Sequence, residues 1–388
     1  MIDVKPFLGK INDLDTHITP TPDFYENVAG TEAGKFFAEM CRKAMDRLPN
    51  DDKKSETVAE LMGKEASQYN DHTVWNLKGS GAAGAYTSAG RLKALDYMGV
   101  NRAFVFADPA LQIGAFSNTE MGRSALLGWN DFCVSFRKTD PQRLLPVATI
   151  DTHHIESALN EAKRMLKAGI RAFVIPSSVP PGGGSPAHAD FDPFWALMQE
   201  ANATVILHAG GEQGFIASDA WANGVEHLGF ETPFRHHGEP GNTYFMASFI
   251  FSPQNFLATI VLGGVFERFP RLRFAVVELG SVWFPTLAMH LDNVAKVFKH
   301  RIKDALKMSP SDYMRRNVRI TPYHFEPVGD LIESFGFEDC YCYSSDFPHP
   351  EGGKSPIQTF EKHIEKLGQR NAEKFYVSNS EWVMPELV

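Results

Sequence analysis

The sequence predicts an α/β fold, a (β/α)8 barrel with insertions after strands one and five. Three observations predict it. Short apolar runs alternate with helical periodicities along most of the chain. Those runs are continuous rather than polar–apolar alternating, as strands buried on both faces of a parallel sheet require. Several of them end on His, Asp or Glu, at the rim where such barrels keep their chemistry. A doubly wound open sheet is the alternative, but no Gly-X-Gly-X-X-Gly or Walker sequence follows any strand.

The elements follow in order. Strand one is 11–18, closing on Asp13-Leu14-Asp15-Thr16-His17-Ile18. A polar insertion, 19–90, follows, with helical patches at 33–47 and 54–68 and a glycine-rich loop at 78–84. It is too long for an ordinary βα loop and could cover the mouth of a site. A helix with Leu92, Leu95 and Met98 on one face stops at Gly99. Strand two is 102–107, helix 119–138 follows, and strand three is 144–150. The next helix presents Ile155, Leu159, Ala162 and Leu166 and ends at Gly169. Strand four is 171–176, a helix covers 192–202, and strand five is 204–208. The second insertion, 209–243, leads into a long apolar helical stretch, 244–268. Strand six is 272–278, a helix covers 282–307, strand seven is 318–321, a helix covers 327–335, and strand eight is 340–344. A helical tail closes what reads as a single domain, 1–388.

Composition bounds the function. A hydrophobic share of 43% with 22% charged residues is that of a globular chain with a sizeable core. The net charge of −9, with no basic cluster, argues against nucleic acid as a partner. No apolar run reads as a membrane span and the N-terminus does not read as a signal peptide. Cys41, Cys133, Cys340 and Cys342 form no Cys-X-X-Cys pair, so a reducing, cytoplasmic setting is expected.

The chemistry lies at the strand ends: Asp15 and His17 on strand one, His208 on five, Glu278 on six, Asp346 just past eight. Residues i and i+2 of a strand share a face, so Asp15 and His17 aim side by side. Each has an ordinary structural alternative. His208 could be a hydrogen-bonded core residue, Asp346 a turn cap, Glu278 a cap for the helix after Ser281, and Asp15 the partner of an arginine. One metal ion explains four positions at once, and imidazole with carboxylate suits Zn, Mn or Fe.

The motifs carry a resemblance. Asp15-X-His17, Leu207-His208-Ala209-Gly210, the run Gly264-Val265-Phe266-Glu267-Arg268-Phe269-Pro270-Arg271-Leu272-Arg273, and Ser345-Asp346-Phe347-Pro348-His349-Pro350-Glu351-Gly352 together resemble the amidohydrolase superfamily. The branch is the one typified by aminocarboxymuconate semialdehyde decarboxylase. The resemblance implies a distorted TIM barrel with His17, His208 and Asp346 as metal ligands, and Asp15 in the place of a His or Glu. Two positions depart from the pattern. Glu278 stands where decarboxylases of the branch usually carry His, and the Glu that some members have near Thr19 is missing.

The expected activity is that of a metal-dependent hydrolase acting on a small, carboxylated molecule through an activated water. Asp15, His17, His208 and Asp346 hold the ion, Asp346 or Glu278 moves the proton, and His237 enters from the second insertion beside His236. The expected ion is zinc, with manganese or iron as alternatives and a second ion allowed. Arg235, Trp221 and Trp283 are candidate substrate contacts, and His349 is expected to orient the turn after Asp346. The alternatives are a non-oxidative decarboxylase or hydratase, a dinuclear Fe/Mn oxygenase, and the catalytically reduced subunit of such a hetero-oligomer. The partners expected are a small-molecule substrate and a second copy or a related chain.

Overall fold

The computed structural model describes residues 3–18, 68–211 and 243–384, with scattered positions between them. All paired strands are parallel. They run β1 (Ile11–Asp13), β2 (Val100–Val105), β3 (Leu144–Pro146), β4 (Ala148–Thr149), β5 (Ala172–Val174), β6 (Thr204–His208), β7 (Arg273–Val277) and β8 (Val318–Ile320). Two sheets result, β1-β2-β3 and β4-β5-β6-β7-β8.

Backbone hydrogen bonds join them at both seams. At the first, the predicted third strand divides. Val147 N–H donates to Val105 O on one side (2.9 Å), and Ile150 N–H to Val174 O on the other (2.9 Å). The helix Glu120–Phe136 satisfies backbone groups there. Trp129 Nε1 donates to Val147 O (2.8 Å), while Asn130 gives to Thr149 O (3.0 Å) and accepts from Thr149 N–H (2.8 Å). Buried backbone groups need such partners wherever a ladder is interrupted. At the second seam, the predicted eighth strand is an extended run rather than a full strand. Cys342 N–H donates to Ile320 O (2.9 Å), and Leu14 N–H donates to Tyr343 O (3.2 Å). Single bridges, Thr16 to Phe347 and His17 to Phe106, complete the circuit at the rim.

The interior explains the continuous apolar strands. Leu14, Phe104, Phe106, Val147, Val174, Ile206, Ala275, Val277 and Cys342 pack against one another inside. Val383 and Met384 join them from the C-terminal tail, where Thr204 Oγ1 donates to Val383 O (2.7 Å). A larger cluster lies between the strands and the surrounding helices.

The helices follow their punctuation. Ser88–Met98 begins at Thr87, whose hydroxyl accepts from Gly90 N–H (3.1 Å), and stops at Gly99 with φ of 74°. The helix Ile155–Lys167 buries Ala158, Ala162 and Met165, with Ile155, Leu159 and Leu166 half-buried beside them. Its inner face is therefore rotated slightly from the predicted one. The stretch 244–268 is three helices, Thr243–Ser248, Phe251–Leu262 and Val265–Arg268. Residues 243–262 are apolar and long enough to span a membrane by composition, contrary to the sequence reading. The second helix spends its apolar residues on the core, burying Phe256, Leu257, Ile260 and Val261. An additional helix, Pro310–Asn317, lies where the sequence suggested none. Its polar composition hides a pattern that Pro310 at its first turn and the Ser309 cap make clear afterwards.

Candidate metal centre

Five strand-end residues converge. Asp15 and His17 follow β1, His208 ends β6, Glu278 follows β7, and Asp346 follows the extended run that closes the barrel. All are buried, with His17 at 0% exposure and Asp346 at 5%. His17 Nε2 lies 3.1 Å from Asp15 Oδ1, 3.5 Å from Asp346 Oδ1 and 3.9 Å from Glu278 Oε2. His208 Nε2 lies 3.2 Å from Glu278 Oε2 and 3.4 Å from Asp15 Oδ1.

Backbone geometry turns two of these side chains inward. Glu278 (φ 56°) and Asp346 (φ 52°) occupy the left-handed region, which costs a non-glycine residue about 1–3 kcal/mol and persists where surroundings enforce it. Around Glu278 the enforcement is visible. Its N–H donates to Thr321 Oγ1 (3.1 Å), and Tyr323 Oη donates to its carbonyl (2.8 Å).

The imidazole tautomers are set from behind. His17 Nδ1 faces the Ala107 carbonyl at 3.1 Å, and His208 Nδ1 faces the Ala209 carbonyl at 2.8 Å. A carbonyl only accepts, so both rings carry hydrogen on Nδ1 and present Nε2 to the centre as the atom that would ligate a cation. Gln112 Nε2 also donates to Ala209 O (2.5 Å), and Phe106 stacks on His208 at 4.1 Å.

This donor set fits a divalent cation. His17 Nε2 and Asp346 Oδ2 are buried without a hydrogen-bond partner. Three carboxylates converge on two imidazole lone pairs, a concentration of negative charge that a cation would relieve. Two overlapping groups have ligand atoms within 4.8 Å of one another: Asp15, His17, His208, Glu278, and His17, Glu278, Asp346, His349.

The carboxyls differ in their proton affinity. Burial raises Asp346, with His349 opposing. Burial also pushes Asp15 up, but the facing His17 and His208 outweigh it and leave its carboxyl well below the usual range. Asp13, just behind, is raised by burial to about 7 although its Oδ1 accepts from Ser345 N–H (2.9 Å) and Asp15 N–H (3.1 Å). A raised folded-state pKa means that Asp13's contribution to stability is complete below its ordinary 3.8 and is lost as pH climbs toward about 7. Asp13→Asn keeps the Oδ1 acceptor and removes that titration. In chelated protein, the Tm difference between variant and wild type should therefore grow in the variant's favour from pH 4 to pH 8. A difference independent of pH would refute this.

The structure brings Asp15, His17, His208, Glu278 and Asp346 together, with Glu278, expected only as a proton carrier or a helix cap, facing His208. Glu278 is not the cap of the next helix. Glu326 takes that role, accepting from Ser281 N–H (2.9 Å) and Val282 N–H (3.2 Å). His349 does contact Asp346 (Nδ1–Oδ1 3.1 Å), and it also stacks on His17 at 4.0 Å. Trp283 is buried, with Nε1 donating to Leu279 O (2.9 Å), which corrects its reading as a substrate contact. Trp221 is 69% exposed. Arg235, His236 and His237 lie outside the described residues.

Sequence reasoning missed Asp13, Gln112 and Arg91. Arg91 is fully buried. It donates from Nη1 to Thr16 Oγ1 (2.7 Å), from Nε to Gly84 O (2.7 Å), and from Nη2 to the carbonyls of Ala85 and His17. Its guanidinium also lies 5.0 Å from the Phe347 ring. Only the rarity of a buried arginine marks it, and burial is not legible at a single helical position. Lys78, half-buried at the end of the first insertion, donates to Gly353 O (2.5 Å). Burial lowers its pKa, against the attraction of Asp346 and Glu351.

Comparison with known proteins agrees with this fold. The chain superposes on an amidohydrolase from Mycobacterium avium subsp. paratuberculosis with a TM-score of 0.68 at 16% identity, over 97% of this chain and 99% of that one. A 5-carboxyvanillate decarboxylase from Novosphingobium aromaticivorans, with bound manganese and 3-methoxy-4-hydroxy-5-nitrobenzoic acid, gives 0.62 at 16% identity, over 97% of each chain. The 2,6-dihydroxybenzoate decarboxylase from Rhizobium gives 0.58 at 18% identity, over 76% of this chain and 87% of that one. These relatives share the α/β barrel fold; no curated protein matches in sequence. The amidohydrolase family model, by contrast, matches residues 13–383, from the aspartate behind the site to the tail that fills the barrel floor, and the chain belongs to that family.

Proposed function

We propose that the protein is a metal-dependent, non-oxidative decarboxylase of a small aromatic carboxylate. One observation carries the reading: the buried Asp346 carboxyl lies between the ligand cluster, 3.5 Å from His17 Nε2, and an imidazole that can relay a proton, 3.1 Å from His349 Nδ1. Two decarboxylases of benzoate-type acids share the fold, and one holds manganese with an aromatic acid, which supports the same chemical class here.

Asp15, His17 and His208, completed by Glu278 or Asp346, would hold a divalent ion. When bound, such an ion supplies a Lewis acid for the oxygens of the substrate. Lys78, within electrostatic reach of Asp346, draws the carboxylate toward the site. Asp346 holds a proton and delivers it to the ring carbon. The bond from that carbon to the carboxylate breaks, its electron pair stays on the carbon, and carbon dioxide leaves. His349, 3.1 Å from Asp346 Oδ1, returns a proton to Asp346.

Glu278 favours a second reading, hydrolysis. A glutamate facing His208 at 3.2 Å could take the proton of an attacking water.

Release of carbon dioxide from 2,6-dihydroxybenzoate, 5-carboxyvanillate and related hydroxybenzoates decides between them, with aryl esters as the comparison. Release that stops on chelation and returns with manganese supports decarboxylation. Ester cleavage without carbon dioxide moves the assignment to the hydrolase. Inertness toward both, in metal-loaded protein, sinks both.

A further inference from the structure

The end of the barrel opposite the metal centre carries an exposed basic turn. The helix Trp283–Val297 starts just past Glu278 at the metal rim, and its 15 residues carry the chain about 22 Å back along the barrel. The turn that follows, 298–309, rests against Gly264, which lies ahead of β7: a Cβ there would stand 2.9 Å from Ala305 O. Residues 296–307 hold Lys296, Lys299, Arg301, Lys303 and Lys307 with a single carboxylate, Asp304. The sequence reading found no basic cluster in a chain of net charge −9, and this run corrects it.

The turn is held in place from beneath. Tyr313 Oη accepts from Lys307 N–H (2.8 Å) and Met308 N–H (3.1 Å), and donates to Glu267 Oε2 (2.6 Å). Of residues 296–308 only Ile302 and Leu306 turn inward; the others are exposed. Among the described residues, none of the five cations makes an ion pair or a side-chain hydrogen bond. The dipole of the helix Trp283–Val297 favours Lys296 and Lys299 at its C-terminus, but it does not reach the three cations beyond. Lys299 and Lys303 stand four apart across the short helix Lys299–Ile302, a repulsive spacing for like charges. Apolar side chains stand among these charges, with Val297 70% exposed, Phe298 45% and Met308 37%. Apolar groups left in water among unpaired cations are the composition of an interfacial contact.

We propose that this turn docks the protein on an anionic phospholipid surface. Val297, Phe298 and Met308 enter the headgroup layer, the five cations meet the lipid phosphates and carboxylates, and the metal centre faces away. A bilayer takes both kinds of group at once and needs no groove to receive a projecting turn. An anionic polymer would meet the charges alone. The acidic surplus of the rest of the chain is repelled by the same surface, which turns this end toward it. Beyond about 10 Å that repulsion is screened at ordinary salt, so the local charges decide the contact. The surface is independent of the reaction at the metal centre.

Flotation of the full chain with phosphatidylcholine vesicles, with and without phosphatidylserine, tests it. Binding is expected to be at least about tenfold tighter with phosphatidylserine, and to fall steeply between about 0.1 M and 1 M salt. The Lys299→Gln/Arg301→Gln/Lys303→Gln protein should bind about 100-fold more weakly, at about fivefold per cation. Val297→Ser/Phe298→Ser should lose about tenfold through its apolar groups. The replaced side chains are exposed, so both variants should keep the wild-type Tm, and the comparison of vesicles needs no variant. Four results would overturn the proposal: equal binding to the two kinds of vesicle; unchanged affinity in the natively folded charge variant; tighter binding to duplex DNA or polyglutamate than to the anionic vesicles; or self-association in solution that the apolar variant abolishes, which would give the surface to a second copy.

Discussion

Asp346→Asn is expected to lower turnover by about 10²–10⁴-fold, the range lost when a positioned acid–base group is removed, while the fold persists. Asparagine has nearly the same size and retains an Oδ1 acceptor toward His349, whose Nδ1 lies 3.1 Å away. It cannot hold and release the proton that burial makes available on the native carboxyl. It also replaces the buried Oδ2, which has no hydrogen-bond partner, with an amide nitrogen that cannot ligate, so retention of the ion should weaken by roughly 10–100-fold. Carbon dioxide release under single turnover, with metal content after dialysis, measures both. Wild-type turnover with full metal occupancy would remove Asp346 from the site. The companion substitution His208→Ala should lose the ion without altering the proton donor, separating the two roles.

Arg91→Met should cost about 3–5 kcal/mol, because it strands several buried acceptors at once. The side chain touches no metal ligand atom. It instead holds the His17 carbonyl and the Thr16 hydroxyl, and ties them to Gly84 and Ala85 of the first insertion. Its loss should therefore lower the urea midpoint and loosen the ion together. Arg91→Lys should restore part of the stability but little of the metal affinity, since one ammonium cannot span four acceptors on two segments. Full metal affinity in Arg91→Met would show that the strand-one ligands need no such brace.

The barrel and the five strand-end residues were legible because each is encoded locally. An apolar run stops, and a His, Asp or Glu stands at its end; the alternating order of elements then places those ends together. What was not legible depends on long-range partners. Asp13 lies two residues before Asp15, yet its role is fixed by Ser345, 332 residues away. Arg91 reads as an ordinary helical arginine until the helix packs against strand one. For Glu278 the alternative of a helix cap stayed open beside its site role, because the carboxylate that does cap, Glu326, comes from the segment after β8. The strand boundaries were over-long at β1 and β5 for a related reason. Extended backbone continues past the last paired residue and is held there by single bonds, Ile18 N–H to Phe106 O (3.0 Å) and Ile175 N–H to Ile206 O (3.0 Å).

The seam between the first strand and the final extended run has a temporal consequence. Asp15 and His17 are synthesised well before Asp346, yet Ser345 and Asp13, 332 residues apart, must meet for either set to be aligned. Contacts this distant in sequence carry the largest loop-closure entropy and form late. A nascent chain can stack β2 to β7 and their helices before the site exists, so metal capture belongs to the final step of folding and acts as its latch.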